Sequence, residues 1–438
     1  MAIYKKAVLS VFVLFFFFTA QALAVIEIQW WHAMGGRLGE KVKEITQGFN
    51  SKQSKYKLIQ VYKGNYADTM TAGIAAFRSN KQPHFMQVFE VGTATMMAAK
   101  GAIYPVYKLM DDTGEPFDSN AYLSTVTGYY TSSEGKMLSM PFNSSTPVLF
   151  YNEEAFKKAG LDVNKPPKTW PEVATYARKM IKAGYKCGFS TAWISWIHLE
   201  NFSAWHNVPV GTKSNGFDGL DTKYVLNGPA QVKHIQQLAD WQKEKIFVYG
   251  GRRNLGNAKF SSGECAMYTE SSAGYAGFKK AAKFKFRTSM LPYWPDQAGA
   301  PQNTIIGGAS LWVLRGHSPK EYAGVAKFFS YLSSPAVQAD WHQFTGYLPI
   351  THDAYTMTKG QGFYEKNPGM ETALKQMTLN KPTNNSRGLR FGSFLQMRGF
   401  VYNELEAIFN GKKTAKKGLG DAVAAGNKLL RRFEKANK

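Results

Sequence analysis

Val25-Ile26-Glu27-Ile28-Gln29-Trp30-Trp31, the run from Arg37 to Phe49, and Tyr56 to Tyr62 together decide the fold. The first and last read as strands; between them Leu38, Val42, Ile45 and Phe49 share one helical face. The pattern repeats. Gly64-Asn65 opens a helix through Phe77, Phe85 to Phe89 is a third strand, and Gly92 to Lys100 a third helix. Repeated β-α-β at this spacing implies parallel strands with right-handed crossovers, hence an α/β domain. Ligands of such sheets sit beyond the carboxyl ends of the strands. Those ends carry Trp31-His32, Tyr62 to Tyr66, and Glu90, so aromatic, amide and carboxylate groups are aimed at one crevice.

Upstream of this unit, Lys5-Lys6 precedes an apolar run from Ala7 to Thr19, and Ala22-Leu23-Ala24 follows. The run is shorter than the ~20 residues of a membrane span. This is the pattern of an export signal cleaved after Ala24. Removing 24 of the 438 residues leaves 414, starting at Val25, and the loss of two lysines takes the net charge from +23 to +21. No later charge-free apolar stretch reaches spanning length, so a soluble mature protein is expected.

The composition, 44% hydrophobic and 14% aromatic with two cysteines, excludes a disordered chain, a collagen-like fibre and a disulfide-stapled miniprotein. The excess of 54 basic over 31 acidic residues invites a nucleic-acid reading. Export argues against it. So does the scatter of the charges over Arg252-Arg253, Lys279 to Arg287, Lys412 to Lys417 and Arg431-Arg432, which form no stripe interleaved with stacking aromatics. No nucleic-acid partner is expected. Cys187 and Cys265 either pair in an oxidising compartment or remain two buried thiols; spacing does not decide.

A second α/β unit follows Met140 to Pro147, read as a polar connector with two prolines around a hydroxyl-rich run, and re-enters a strand at Val148 to Tyr151. Thr169-Trp170-Pro171-Glu172 is a capping box, which puts Trp170 on the first turn of a helix, at the surface. Glu264 to Thr269 and Ile305 to Leu314 read as strands, the second interrupted by Gly307-Gly308, and Ser271-Ser272 precedes a helix from Gly274 to Lys283. Pro319 to Leu332, Val337 to Phe344, Phe391 to Phe409 and Leu419 to Lys435 read as helices.

Catalytic patterns are missing from the sequence. There is no H-E-x-x-H pair, no C-x-x-C and no G-x-S-x-G elbow, so neither a metal nor a cofactor is expected. Gly411-Lys412-Lys413-Thr414 lacks the first glycine of a P-loop and follows a helix. Glu90 as half of a glycosidase pair has no partner that sequence can place. Several single residues have ligand character. Ser271 before a helix suits an anion or serves as a plain N-cap. Ser144 and Ser145 are hinge turns or ligand donors, and Gly307-Gly308 marks a bulge or a close backbone approach to a ligand. Arg398, on an otherwise apolar helix, needs an anionic partner, either a ligand or an internal Asp or Glu.

Longer strings carry a resemblance. Tyr62 to Tyr66, Gln87 to Met97, Pro141 to Val148, Asn215 to Gly219, Ile305 to Val313, Thr345 to Ile350, Gln361 to Gly369 and Gly426 to Lys435 resemble the glycerol-3-phosphate-binding periplasmic receptors of ABC uptake systems. The likeness covers essentially the whole mature chain. Tyr151-Asn152 and Pro166 to Trp170 are more distantly similar to maltodextrin-type receptors.

The resemblance implies a two-lobed, type II periplasmic binding protein, each lobe a mainly parallel sheet flanked by helices. The N-terminal lobe would be 25–142 plus about 292–346, and the C-terminal lobe about 146–290 plus 349–438. Hinges would lie near 141–147, 288–292 and 346–350. It implies a monomeric periplasmic receptor, not an enzyme, that delivers sn-glycerol-3-phosphate, or a diester such as glycerophosphocholine, to the permease and ATPase of an importer. Tyr66, Glu90, Ser145, Ser271, Gly308, Tyr347 and Arg398 match ligand contacts, and Trp170 an aromatic wall. Arg398 would meet the phosphate with Ser145, Ser271, Tyr347 and the Gly308 amide, and Glu90 the glycerol hydroxyls. One departure is Glu270, where smaller uncharged residues are common; it is expected to point away from the phosphate. The alternatives are an oligosaccharide receptor and an exported hydrolase using Glu90.

Overall fold

Two separate sheets carry the chain. The computed structural model describes residues 24–99, 101–132 and 134–438; the export signal expected at 1–24 lies, except for Ala24, outside them. The first sheet is built from β1 (Ile26–His32), β2 (Tyr56–Tyr62), β3 (Phe85–Phe89), β4 (Ile103–Tyr104), β5 (Met140–Ser145) and β11 (Gly307–Leu314). The second holds β6 (Pro147–Asn152), β7 (Cys187–Thr191), β8 (Phe247–Tyr249), β9 (Cys265–Ser271) and β10 (Phe286–Ser289). Their strand orders are β2-β1-β3-β11-β4, with β5 also on β11, and β10-β6-β9-β7-β8.

The β-α-β reading holds locally. β1 pairs in parallel with β2 and β3, and the helix Gly36–Ser51 between β1 and β2 buries Val42, Ile45 and Phe49. The helix Tyr66–Arg78 begins at a capping box made by Asn65 and Asp68, so Tyr66 is fixed at its first position. Both sheets are mixed because late strands enter antiparallel: β11 against β3, β4 and β5, and β6 against β9 and β10. Trp30 anchors the first core with its ring 5.2 Å from Phe142 and 5.5 Å from Phe328. No helix among the described residues is long and apolar enough to cross a membrane.

The polar connector expected at Met140 to Pro147 is corrected. Residues Met140–Ser145 form β5, buried along its whole length. Partners accompany much of its buried polarity: Gln87 donates to the Asn143 Oδ1 at 2.7 Å, and Leu348 N–H donates to the Ser144 carbonyl at 2.7 Å, although the Ser144 hydroxyl has none.

The two cysteines pair. Cys187 on β7 lies opposite Cys265 on the parallel strand β9, with Cα atoms 4.7 Å apart, and the disulfide closes a loop over a sequence separation of 78. A loop of that length restricts the unfolded chain by about 4 kcal/mol in the chain-entropy model. Replacing both residues by alanine, or reducing the bond, is expected to lower the unfolding free energy by roughly 2–4 kcal/mol in urea titrations. Identical midpoints with and without reductant would contradict this.

Candidate functional site

A cavity of about 260 Å³ lies between the two sheets. Tyr66, Phe89, Glu90, Ser145, Gly307 and Gly308 line it from the first sheet's side, and Trp193, Trp196, Glu270 and Ser271 from the second's. Tyr347 and Arg398 complete it. Seven of the eight residues expected from sequence therefore converge here: Tyr66, Glu90, Ser145, Ser271, Gly308, Tyr347 and Arg398.

Tyr66 is held from both ends. Its ring stacks on Phe89 at 5.2 Å and 8°. A relay of amides fixes its hydroxyl: Ala33 N–H donates to Gln87 Oε1 at 2.8 Å, Gln87 to Asn143 at 2.7 Å, and Asn143 Nδ2 to the Tyr66 Oη at 2.9 Å. The Tyr347 hydroxyl lies 3.5 Å from that oxygen, and its ring stacks on Trp341 at 5.6 Å. Burial pushes both phenols above their ordinary range, Tyr347 to about 12, so both remain neutral donors.

Ser145 ends β5 directly opposite Gly307, and Ser144 faces Gly308. Gly308 has φ +106°, and a Cβ on it would lie 2.0 Å from the Asn143 carbonyl oxygen; on Gly307 a Cβ would meet the Trp196 ring at 2.4 Å. The register irregularity falls beyond the glycine pair, between Ala309 and Ser310, and at the pair itself the backbone is packed too closely against Asn143 and Trp196 for any side chain.

Arg398 is the electrostatic centre. It sits buried on the helix Phe394–Phe409, with Nε 2.7 Å from Glu200 Oε1, and Nη2 2.5 Å from Glu200 Oε2 and 2.7 Å from Glu90 Oε1. Of the two kinds of partner that the sequence allows it, a ligand or an internal acid, the structure shows internal carboxylates. Burial opposes its charge, but Glu200 and Glu90 outweigh that and hold it protonated. Burial, reinforced by the like charge of Glu200, raises the Glu90 carboxyl against the pull of Arg398. Glu200 comes from a π-helical turn, Trp196–Asn201, that also delivers Trp196. Arg37, a second cation at the mouth, pairs with Glu40 at 2.6 Å.

Three further expectations are corrected. Trp170 is neither at the surface nor in the cavity. Its capping box forms as read, yet the indole is 2% exposed and packs 4.8 Å from His234, 5.5 Å from His198 and 5.8 Å from Phe189. Ser271 ends β9 and does not cap the helix Gly274–Ala281; its Oγ accepts from Ala273 N–H at 3.2 Å. Glu270 lines the cavity, contrary to the expectation that it points away. Of the strand ends, Trp31-His32 falls short: His32 is buried against Gln60 and Met34.

Sequence reasoning missed Trp193, Trp196 and Glu200. Their signal, a cluster of two tryptophans and an acid between Trp193 and Glu200, has no helix or strand period to place it, because a π turn matches neither.

A cleft between two mixed sheets, walled largely by apolar and aromatic surface with a few directed polar groups, is a site built to enclose a small solute. Residues 44–372 match the model of the family described as bacterial extracellular solute-binding protein, and the chain belongs to that family. It is 53% identical to the sn-glycerol-3-phosphate-binding periplasmic protein UgpB of Yersinia pseudotuberculosis, over 96% of both chains, and 52% identical to that of Salmonella typhimurium, also over 96% of both. Its fold is shared by UgpB from Mycobacterium tuberculosis, solved in complex with glycerophosphocholine (TM-score 0.77, 20% identity, covering 93% of this chain and 99% of that one). The cyclic alpha-maltosyl-1,6-maltose binding protein from Arthrobacter globiformis has it too (TM-score 0.72, 21% identity, covering 93% and 100%).

Removing one member of a buried charge cluster leaves the others uncompensated. Arg398→Met is accordingly expected to cost about 3–5 kcal/mol of folding stability by chemical denaturation. Glu90→Gln is expected to cost much less, since Arg398 keeps the bidentate Glu200. Equal costs for the two would contradict the arrangement.

Proposed function

We propose that this chain is a periplasmic receptor that captures sn-glycerol-3-phosphate and hands it to the permease and ATPase subunits of an ABC importer. It would act as a monomer, after cleavage of its export signal behind Ala24, and without catalysing a reaction. The observation that carries the reading is 53% identity over 96% of the chain to a relative named for that ligand. The cavity geometry is compatible with it. Neutral donors at Ser145, Ser271, Tyr347 and the Gly308 amide surround one end, where phosphate oxygens would be met, and the Glu90 carboxylate offers acceptors for glycerol hydroxyls.

The internal pairing of Arg398 adds a step. On binding, Glu90 would turn to the hydroxyls and release the Arg398 Nη2, 2.7 Å away, to a phosphate oxygen, while Glu200 keeps the guanidinium in place. Tyr66 and Trp196 would flank the carbon chain, with Trp196 taking the part expected of Trp170. Trp193 and Trp196 also supply aromatic faces suited to a quaternary ammonium, so glycerophosphodiesters such as glycerophosphocholine are a second proposed ligand class.

Closure would be hinged at 141–147, 288–292 and 346–350, between lobes formed by 25–142 plus about 292–346 and by about 146–290 plus 349–438. This division is supported by where the chain crosses between sheets. β5 ends at Ser145 and β6 begins at Pro147, and the first and third crossings are bonded to one another, Leu348 N–H donating to the Ser144 carbonyl at 2.7 Å.

Titration calorimetry tests the reading. Heat is expected with glycerol-3-phosphate, none with maltodextrins, and the ligand should be recovered unchanged after incubation; heat with maltodextrins alone would instead indicate an oligosaccharide receptor, and turnover a hydrolase. Ser271→Ala should weaken binding by roughly 10- to 100-fold, as for a lost hydrogen bond to a charged group. Trp170→Phe should leave affinity within about twofold, as expected of a change confined to core packing. A large loss with Trp170→Phe and none with Ser271→Ala would reverse the assignments.

A further inference from the structure

Glu270 is the one member of the cavity lining, among the described residues, whose carboxylate has an oxygen both buried and unpartnered. It is 2% exposed. Its Oε1 accepts from the Ser271 N–H at 2.7 Å, which fixes the plane of the carboxyl group, while Oε2 has no hydrogen-bond partner. Its stem is seated against Gly274, where a Cβ would come within 2.6 Å of the Glu270 Cγ. The side chain is thus built into the wall in one orientation.

We propose that Glu270 carries a proton in the ligand-binding state and donates from Oε2 to a phosphate oxygen of the bound solute, so that anion binding weakens at alkaline pH. This rests on the receptor reading above.

The surroundings leave little else for this group to do. No lysine, arginine or histidine contributes to its environment. Trp193 and Asn257 stand alongside from the neighbouring loop and helix, yet neither meets Oε2 with hydrogen-bond geometry. Tyr268 on the same strand and Tyr347 across the cavity are phenols held neutral by burial. The cavity's other charges are committed elsewhere, Arg398 to Glu200 and Glu90, and Arg37 to Glu40. Burial accordingly pushes the Glu270 carboxyl up to about 8, against the lowering effects of the Ser271 amide and of the Asn257 and Trp193 side chains alongside. An ionised carboxylate at this wall would repel a phosphate, whereas a carboxylic acid offers it a short O–H donor. Binding then stabilises the protonated form further. The sign follows: ligand-free protein holds the proton below about pH 8, and above it each binding event must take up one proton from solvent.

The test measures glycerol-3-phosphate affinity between about pH 7 and pH 9, a range in which the phosphate stays dianionic because its second ionisation lies near 6. Wild-type affinity should be level up to about pH 8 and then fall, approaching tenfold per pH unit. Glu270→Gln, a neutral donor of the same shape that does not titrate, should lose that fall. Calorimetry of the wild type in buffers of different ionisation enthalpy should show uptake of up to about one proton per ligand at the alkaline end, a measurement that needs no variant. Binding without proton uptake, or with the same pH profile in wild type and Glu270→Gln, overturns this inference alone. Wild-type protein that binds no glycerol-3-phosphate at any pH overturns the receptor reading, and this inference with it.

Discussion

The site depends on one buried guanidinium shared by two carboxylates. Arg398 sits on a helix that would otherwise be a continuous apolar face, and it is tolerated there because Glu200 grips it through two hydrogen bonds and Glu90 through a third. A charge so placed cannot leave, and cannot lose its partners without a penalty of several kcal/mol. The cluster also ties three distant parts of the chain to one point: the turn after β3, the π-helical turn, and the helix Phe394–Phe409. Tyr66 and Trp196 line the same cavity as Arg398 and Glu90.

This changes how the protein's strong positive charge bears on an anionic solute. The net charge of +23 lies mostly at the surface, where it is screened within about 10 Å at ordinary salt and selects no particular anion. Inside the cavity the balance is different. Two carboxylates share one arginine, burial pushes a third carboxyl group up to about 8, Arg37 at the mouth is paired with Glu40, and the other polar groups include hydroxyls, the side-chain amides of Asn254 and Asn257, and backbone amides. Recognition in such a setting rests on directed donors and on the exchange of one ion pair for another.

Much of this was legible in the sequence, and the limits have physical reasons. The alternation of β1 to β3 with intervening helices could be read because each element buries one face, and the period records that burial. Of the seven cavity residues, Tyr66, Glu90, Ser145, Gly308 and Tyr347 lie within long strings, being ordinary residues until the fold brings them together, whereas Ser271 and Arg398 stand out singly, one by its place before a helix and one by its charge on an apolar helix. Met140–Ser145 reads as a connector because polarity suggests exposure, while in the fold an amide relay through Asn143 and the neighbouring backbone of Leu348 accompany the buried strand. The capping box at Thr169 located Trp170 along its helix but not what packs over that first turn, a stack of His198 and His234 contributed from elsewhere. Glu270 and Ser271 are consecutive on β9, and strict alternation would send them to opposite faces; at the strand's end both border the cavity. The cysteine pairing depended on the register of β7 against β9, which spacing alone does not reveal.

The central claim is that the Arg398 cluster is rearranged, not dismantled, when the solute enters. A crystal structure with bound glycerol-3-phosphate addresses it most directly. The account predicts that the Arg398–Glu200 bonds persist, that Glu90 leaves the Nη2 for the glycerol hydroxyls, and that a phosphate oxygen takes its place beside Ser145, Ser271 and Tyr347. A phosphate bound away from Arg398, with the Glu90–Arg398 contact intact, would contradict it.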